Sequence, residues 1–135
     1  MNKGMHIAAG LGLTVFMGLG FLWIYNLTLE TEAISVDGEL AQRGLSLATE
    51  QGCVACHTLD GSPGIGPSWL GMYGKTETLI DGSTVLVDDD YIRESINNPG
   101  AKQVEGYQNL MIRYFLSENE MEAVLEFARQ LGVAN

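Results

Sequence analysis

Two cysteines and a histidine share one pentapeptide, Cys53-Val54-Ala55-Cys56-His57, and no other run in the chain concentrates so much reactive chemistry. C-x-x-C-H is the attachment spacing of a c-type haem. The two thiols add across the haem vinyl groups, which places them beside the ring, and the adjacent imidazole then reaches the iron from one face. Two rival uses of such thiols are weaker. A closed zinc site needs four ligands, and the chain has only 2 Cys and 2 His, with His6 beyond a long apolar segment. A thioredoxin-like dithiol belongs in a βαβ setting, whereas the surrounding pattern reads helix–loop–helix. The pentapeptide therefore predicts one haem c, covalent through Cys53 and Cys56.

The elements that must position these groups can be read from periodicity and caps. Asp37 is a plausible N-cap for a helix over residues 38–51, with Leu40, Ala41, Gly44, Leu45 and Ala48 along one face. Residues 58–85 hold Gly61, Gly64, Gly66, Gly71, Gly74 and Gly82 with Pro63 and Pro67, and no helical period. A loop of that length inside a small domain is expected to wrap a functional object. Val85-Leu86-Val87 is a weakly signalled strand. Asp88, Asp89 or Asp90 can cap a short helix through Ile96, ended by Asn98-Pro99-Gly100. This acidic run reads as a cap and a solvated face rather than a metal site. The last helix opens on the capping box Ser117-Glu118-Asn119-Glu120. Met121, Val124, Leu125, Ala128 and Leu131 form its apolar stripe, Phe127 borders it, and Gly132 closes it.

Composition bounds the rest. The 135 residues carry 7 Lys+Arg against 17 Asp+Glu, a net charge of −10. That argues against a nucleic-acid binder, which needs basic surface. Residues 7–29 hold no charge. As a helix they would span about 35 Å, enough for a hydrocarbon core of about 30 Å. Trp23 and Tyr25 lie near the far end, Lys3 precedes the segment, and Glu30, Glu32, Asp37 and Glu39 follow it. The positive end is expected in the cytoplasm and the remainder on the outer face. A cleaved signal peptide would have a shorter apolar core and a better small-x-small site than Thr31-Glu32-Ala33. Gly10, Thr14 and Gly18 recur on one face, a spacing that suits packing against another membrane helix. The division expected is an anchor at 1–30, a short linker at 31–36 and a haem domain at 37–135.

Residues 44–131 resemble a class I cytochrome c domain. Gly52-Cys53-Val54-Ala55-Cys56-His57-Thr58 matches the haem motif of that family, and Gly66-Pro67-Ser68-Trp69-Leu70-Gly71-Met72-Tyr73-Gly74-Lys75 resembles its proline loop. Asp90-Tyr91-Ile92-Arg93-Glu94-Ser95-Ile96-Asn97-Asn98-Pro99 and Gly106-Tyr107-Gln108-Asn109-Leu110-Met111 are similar to the cytochrome domain attached to subunit II of some haem-copper oxidases. The resemblance implies an all-α, class I cytochrome c fold around one covalently bound haem, here preceded by one transmembrane helix. It implies His57 as the proximal iron ligand, with its other nitrogen bonded to the Pro67 carbonyl, which fixes the tautomer and raises basicity. Among Met72, Met111 and Met121 it implies Met111 as the second ligand. The family usually has proline after that methionine, and this chain has Ile112. It also implies that Gly44 lets the first helix cross the last closely, near Phe127. Trp69 reads first as a wall of the haem pocket and second as a propionate donor. Lys75 and Arg93 are possible propionate partners, or solvated charges.

An iron held by histidine and methionine has no open position and suits outer-sphere electron transfer. No catalytic constellation is evident, so the expectation is an electron-transfer subunit rather than an enzyme. Its setting would be a respiratory complex of the haem-copper oxidase or alternative complex III type, in a bacterial inner membrane with the haem domain on the periplasmic face. A free membrane-tethered shuttle is the alternative, and a sensor or enzyme with a labile distal ligand is a more distant one. A mitochondrial-type lysine ring is absent. The incoming redox partner is therefore expected to present basic or neutral surface to this acidic domain.

Overall fold

The structure, a computed structural model, describes residues 36–132. The anchor expected at 1–30 and nearly all of the linker lie outside the described residues. Among those described, no helix is long and apolar enough to cross a membrane. In chain order the elements are α1 (Glu39–Glu50), a 3-10 turn (Cys53–Ala55), β1 (Thr76–Thr78), β2 (Thr84–Leu86), α2 (Asp89–Asn97) and α3 (Glu118–Gly132).

The core is the crossing of α1 with α3. α1 buries Ala41, Gly44, Leu47 and Ala48, and α3 buries Met121, Ala123, Val124, Leu125, Phe127, Ala128 and Leu131. Both rows follow helical spacing, so each helix turns one apolar face inward. Gly44 sets how closely they meet: a β-carbon there would overlap the Ala123 carbonyl and lie 2.7 Å from the Phe127 Cβ. Phe127 is fully buried, so it sits inside the stripe and does not merely border it.

Capping accounts for the other boundaries. The Asp88 carboxylate accepts from the Tyr91 amide at 2.9 Å and starts α2. Ser117 and Glu120 close the expected box: the Ser117 amide donates to the Glu120 carboxylate at 2.8 Å, and the Glu120 amide donates back to Ser117 Oγ at 3.4 Å. α1 differs from expectation. Its N-cap is Gly38, with no side-chain cap. Asp37 instead uses its backbone, which donates to the Gln130 side chain at 2.7 Å and accepts from it at 2.6 Å. With Val36 buried beside it, the packed domain takes in the last residue assigned to the linker.

The fold is not wholly helical. β1 and β2 pair antiparallel, with Thr76 opposite Leu86 and Thr78 opposite Thr84. Three-residue strands carry too little alternation for a periodicity reading, which explains why only the second was signalled. The remainder of the long loop is held by single hydrogen bonds: the Gly71 amide donates to Leu131 of α3 at 3.0 Å, and the Trp69 amide to Thr58 at 2.8 Å.

Candidate functional site

Cys53, Cys56, His57, Pro67 and Met111 all line one cavity of about 350 Å³. Cys53 opens the 3-10 turn and Cys56 follows it, and three residues per turn put i and i+3 on one face, so both half-buried cysteines and the following imidazole line the same cavity. The thiols are unpaired. Burial pushes the Cys53 thiol up from its ordinary range. Among the described residues no three His, Cys, Asp or Glu side chains come together as metal ligands.

His57 is held on three sides. Its Nδ1 donates to the Pro67 carbonyl at 2.7 Å. The Gly66 backbone lies flat against the ring, so close that a β-carbon would stand 2.7 Å from Nδ1 and 2.9 Å from Nε2. The edge of Trp69 packs against it, centroids 5.9 Å apart and planes at 63°. The loop itself is pinned to the cysteine turn, since the Gly66 amide donates to the Cys56 carbonyl at 2.9 Å. With Nδ1 committed as donor, Nε2 is the nitrogen left with a lone pair for a metal. A covalent haem fits this donor set: two adjacent thiols, one oriented imidazole, and a largely apolar cavity beside them.

The methionines separate. Met121 is in the helix core at 2% exposure and does not reach the cavity, while Met72 and Met111 both line it. Met72 belongs to the proline loop, which Gly71 ties to the end of α3. Met111 belongs to an extended segment tied to α2, where the Tyr114 amide donates to the Ile96 carbonyl at 3.1 Å.

Trp69, Lys75, Arg93 and Asp89 take the following places. Trp69 is 5% exposed and packs against Phe127 with ring centroids 5.3 Å apart and planes tilted by 50°. It lines the cavity, and its indole N–H is buried without a protein acceptor among the described residues. Lys75 pairs with Glu77 at 2.8 Å, and Arg93 with Glu118 at 2.8 Å and Glu122 at 3.3 Å. Neither lines the cavity, so in this structure both are ion-paired charges outside it. Asp89 is more than part of a solvated face. It accepts from the Tyr73 hydroxyl at 2.7 Å and from Arg129 Nε at 3.1 Å, joining the proline loop, α2 and α3.

Sequence reasoning passed over Tyr91, Ile92, Ser95 and Ile96, which line the cavity from α2. Their i, i+1, i+4, i+5 spacing marks one helix face and was the available signal. Burial raises the pKa of Tyr91, as it does for Tyr114 opposite the two thiols.

The cytochrome c family model matches residues 41–132. The chain belongs to the cytochrome c family. No curated protein sequence matches it. Membership makes covalent haem c the cofactor and electron transfer the activity suggested for this cytochrome, with Cys53 and Cys56 in the attachment spacing.

Proposed function

We propose that this cytochrome is a membrane-anchored, single-haem electron-transfer subunit of a respiratory complex of the haem-copper oxidase or alternative complex III type. His57 and Met111 would hold its iron. The observation that carries the reading is the convergence of a fixed imidazole and Met111 on one cavity, His57 being held by Pro67 at 2.7 Å. Bound there, the haem would supply one-electron chemistry at an iron with no open position.

The chain's own residues account for the remainder. Pro67 accepts the Nδ1 proton, which orients the ring and makes Nε2 a stronger donor. A thioether from Met111 favours the reduced state and raises the potential. Ile92, Ile96, Val124 and Trp69 keep the walls apolar and so limit water at the metal. Anchoring is supported by the uncharged run at residues 7–29, and subunit membership by the short stretch between that run and Val36.

Ferric Met–haem ligation gives a near-infrared charge-transfer band. It should be lost in Met111→Ala and kept in Met72→Ala, and carbon monoxide should bind the reduced Met111→Ala protein far faster than the native one. Survival of the band in Met111→Ala overturns the ligand assignment, and rapid stoichiometric CO binding by the native protein overturns the carrier reading. Membership is tested by mild detergent extraction and size separation. The haem protein should run in fixed stoichiometry with a larger membrane complex, and migrating alone beside intact, active complexes would replace the subunit reading with a tethered shuttle.

A further inference from the structure

Met111 sits in a run with no helix or strand of its own, residues 106–117. Met111, Ile112 and Arg113 make no backbone–backbone hydrogen bond among the described residues. Ile112 is 65% exposed and lacks the ring that would fix its φ. A side chain carried on such a run is placed by whatever grips the run at its two ends. Downstream the grip is α2, through the Tyr114 amide on the Ile96 carbonyl at 3.1 Å. Upstream it is Gln103, whose Nε2 donates to the Tyr107 carbonyl at 2.7 Å. That bond reinforces a turn whose backbone bond, from the Tyr107 amide to the Val104 carbonyl, is 3.3 Å long. Gln103 is in turn hung on the β1–β2 hairpin. The Ile80 amide donates to its carbonyl at 3.0 Å, Val104 bridges Leu79, and the Glu105 amide donates to the Thr78 carbonyl at 2.9 Å. The hairpin is rooted in the proline loop, where the Gly74 amide donates to Val87 at 2.8 Å and the Val87 amide to Lys75 at 2.9 Å. A chain of bonds thus runs from the loop that holds His57, through the hairpin and Gln103, to the run that carries Met111.

We propose that Gln103 is a positioning residue for Met111, and that the β1–β2 hairpin is the brace on which it works. The proposal rests on the reading of Met111 as an iron ligand. A neutral amide suits the task. Gln103 is half-buried and lines the cavity, where a carboxamide can grip a carbonyl without the cost of desolvating a charge. Without that grip, nothing but the 3.3 Å turn bond holds Tyr107 to the hairpin side, and the run opens more often by local unfolding. The hairpin, which contributes little to the helix core, thereby acquires a role: it carries the fixed geometry of the proline loop across to the second ligand.

The test uses full-length ferric holoprotein and free imidazole, which binds the iron only where Met111 has let go. Its apparent affinity scales with the fraction of protein in that open state. Losing one hydrogen bond of ordinary worth raises the open fraction about fivefold, so Gln103→Leu should bind imidazole about fivefold more tightly, with a weaker near-infrared Met–haem band. Ile80→Pro reaches the same clamp from the hairpin. Ile80 is the second residue of a turn closed by the Gly82 amide on the Leu79 carbonyl at 2.9 Å, a position that proline suits. The substitution deletes the amide that holds Gln103 and keeps the turn, and it should tighten imidazole binding by a similar factor. Gln130→Leu controls for general loss of stability. It removes two hydrogen bonds to Asp37, away from the cavity lining, and should leave imidazole affinity at the parent value. Parent-like affinity in both Gln103→Leu and Ile80→Pro would overturn the proposal, even with a lowered melting temperature. An equal rise in Gln130→Leu would overturn it too, by showing that any destabilisation frees Met111. Met111→Ala separates these results from the ligand reading. It should bind imidazole most tightly of all and no longer respond to Gln103→Leu. If it binds no better than the parent, the ligand reading itself fails. If it binds tightly while both clamp variants stay parent-like, only the positioning role fails.

Discussion

The carbonyl oxygen of Pro67 lies 2.7 Å from Nδ1 of His57, ten residues earlier in the chain. A proline carbonyl is well suited to this because the ring fixes φ and leaves the preceding turn little freedom. The two residues stay in register because Gly66, packed against the His57 ring, has no side chain and donates its amide to the Cys56 carbonyl at 2.9 Å. Removing that empty space should therefore be worse than altering the proline.

Gly66→Ala would drive a methyl group into the imidazole, with Nδ1 only 2.7 Å away. The ring must turn, breaking the Pro67 bond and moving Nε2 away from where it would bind the iron. Holoprotein yield should drop severalfold, and the residual protein should show a weakened low-spin ferric spectrum and a shifted potential. Pro67→Ala, which keeps the carbonyl and loses only the rigidity, should stay low-spin. Equal holoprotein yield and spectra for Gly66→Ala and the parent would show that the contact does not hold the ring.

Asp89 supplies a pH-dependent part of the stability. Its hydrogen bond with Arg129, then that with Tyr73, holds its carboxyl below the usual carboxylate range. A group with a lowered folded pKa adds stability that is fully present above its unfolded value, about 4, and is lost as pH falls through the folded value. Asp89→Asn should thus lower the melting temperature at pH 7, by the equivalent of about 1 kcal/mol once partial exposure of both partners is discounted. The gap should hold down to about pH 5 and close at lower pH. Thermal melts by circular dichroism across that range check it, and a gap that widens on acidification would contradict the assignment.

The haem motif, α1, α2 and α3 were legible because each carries a local signal. Cys53, Cys56 and His57 are contiguous, Asp88 and Ser117 cap their helices, and the α3 stripe keeps its period over 15 residues. What escaped was set by contacts between distant segments. Asp37 resembles a cap in sequence, but its backbone is engaged by Gln130, 93 residues away. The first strand, Thr76–Thr78, has no pattern of its own and exists through pairing with Thr84–Leu86. Arg93 stands alone as a cation in its stretch of sequence, and its partners Glu118 and Glu122 come from α3.

Gly44 offers the sharpest test of the helix crossing, since local and tertiary preferences oppose each other there. It lies inside α1, where alanine is favoured over glycine by about 1 kcal/mol in an exposed helix. If α1 stood alone, Gly44→Ala would stabilise it. In the fold, the new β-carbon would overlap the Ala123 carbonyl and approach the Phe127 Cβ to 2.7 Å. Neither neighbour is the free end of a flexible chain: one is helix backbone, and the other is the Cβ of a fully buried side chain. The helices must separate, and overpacking of this kind costs about 1–3 kcal/mol, more where backbone is displaced. The net expectation is a loss of about 1–2 kcal/mol after the helix-propensity gain, read as a melting temperature lowered by several degrees. Trp69 lies against Phe127 at 5.3 Å and against His57 at 5.9 Å, so the displacement should also reach the His57 imidazole. Gly44→Ala should therefore shift the reduction potential in the same protein that melts early, and an unchanged or raised melting temperature would show that the crossing has room to spare.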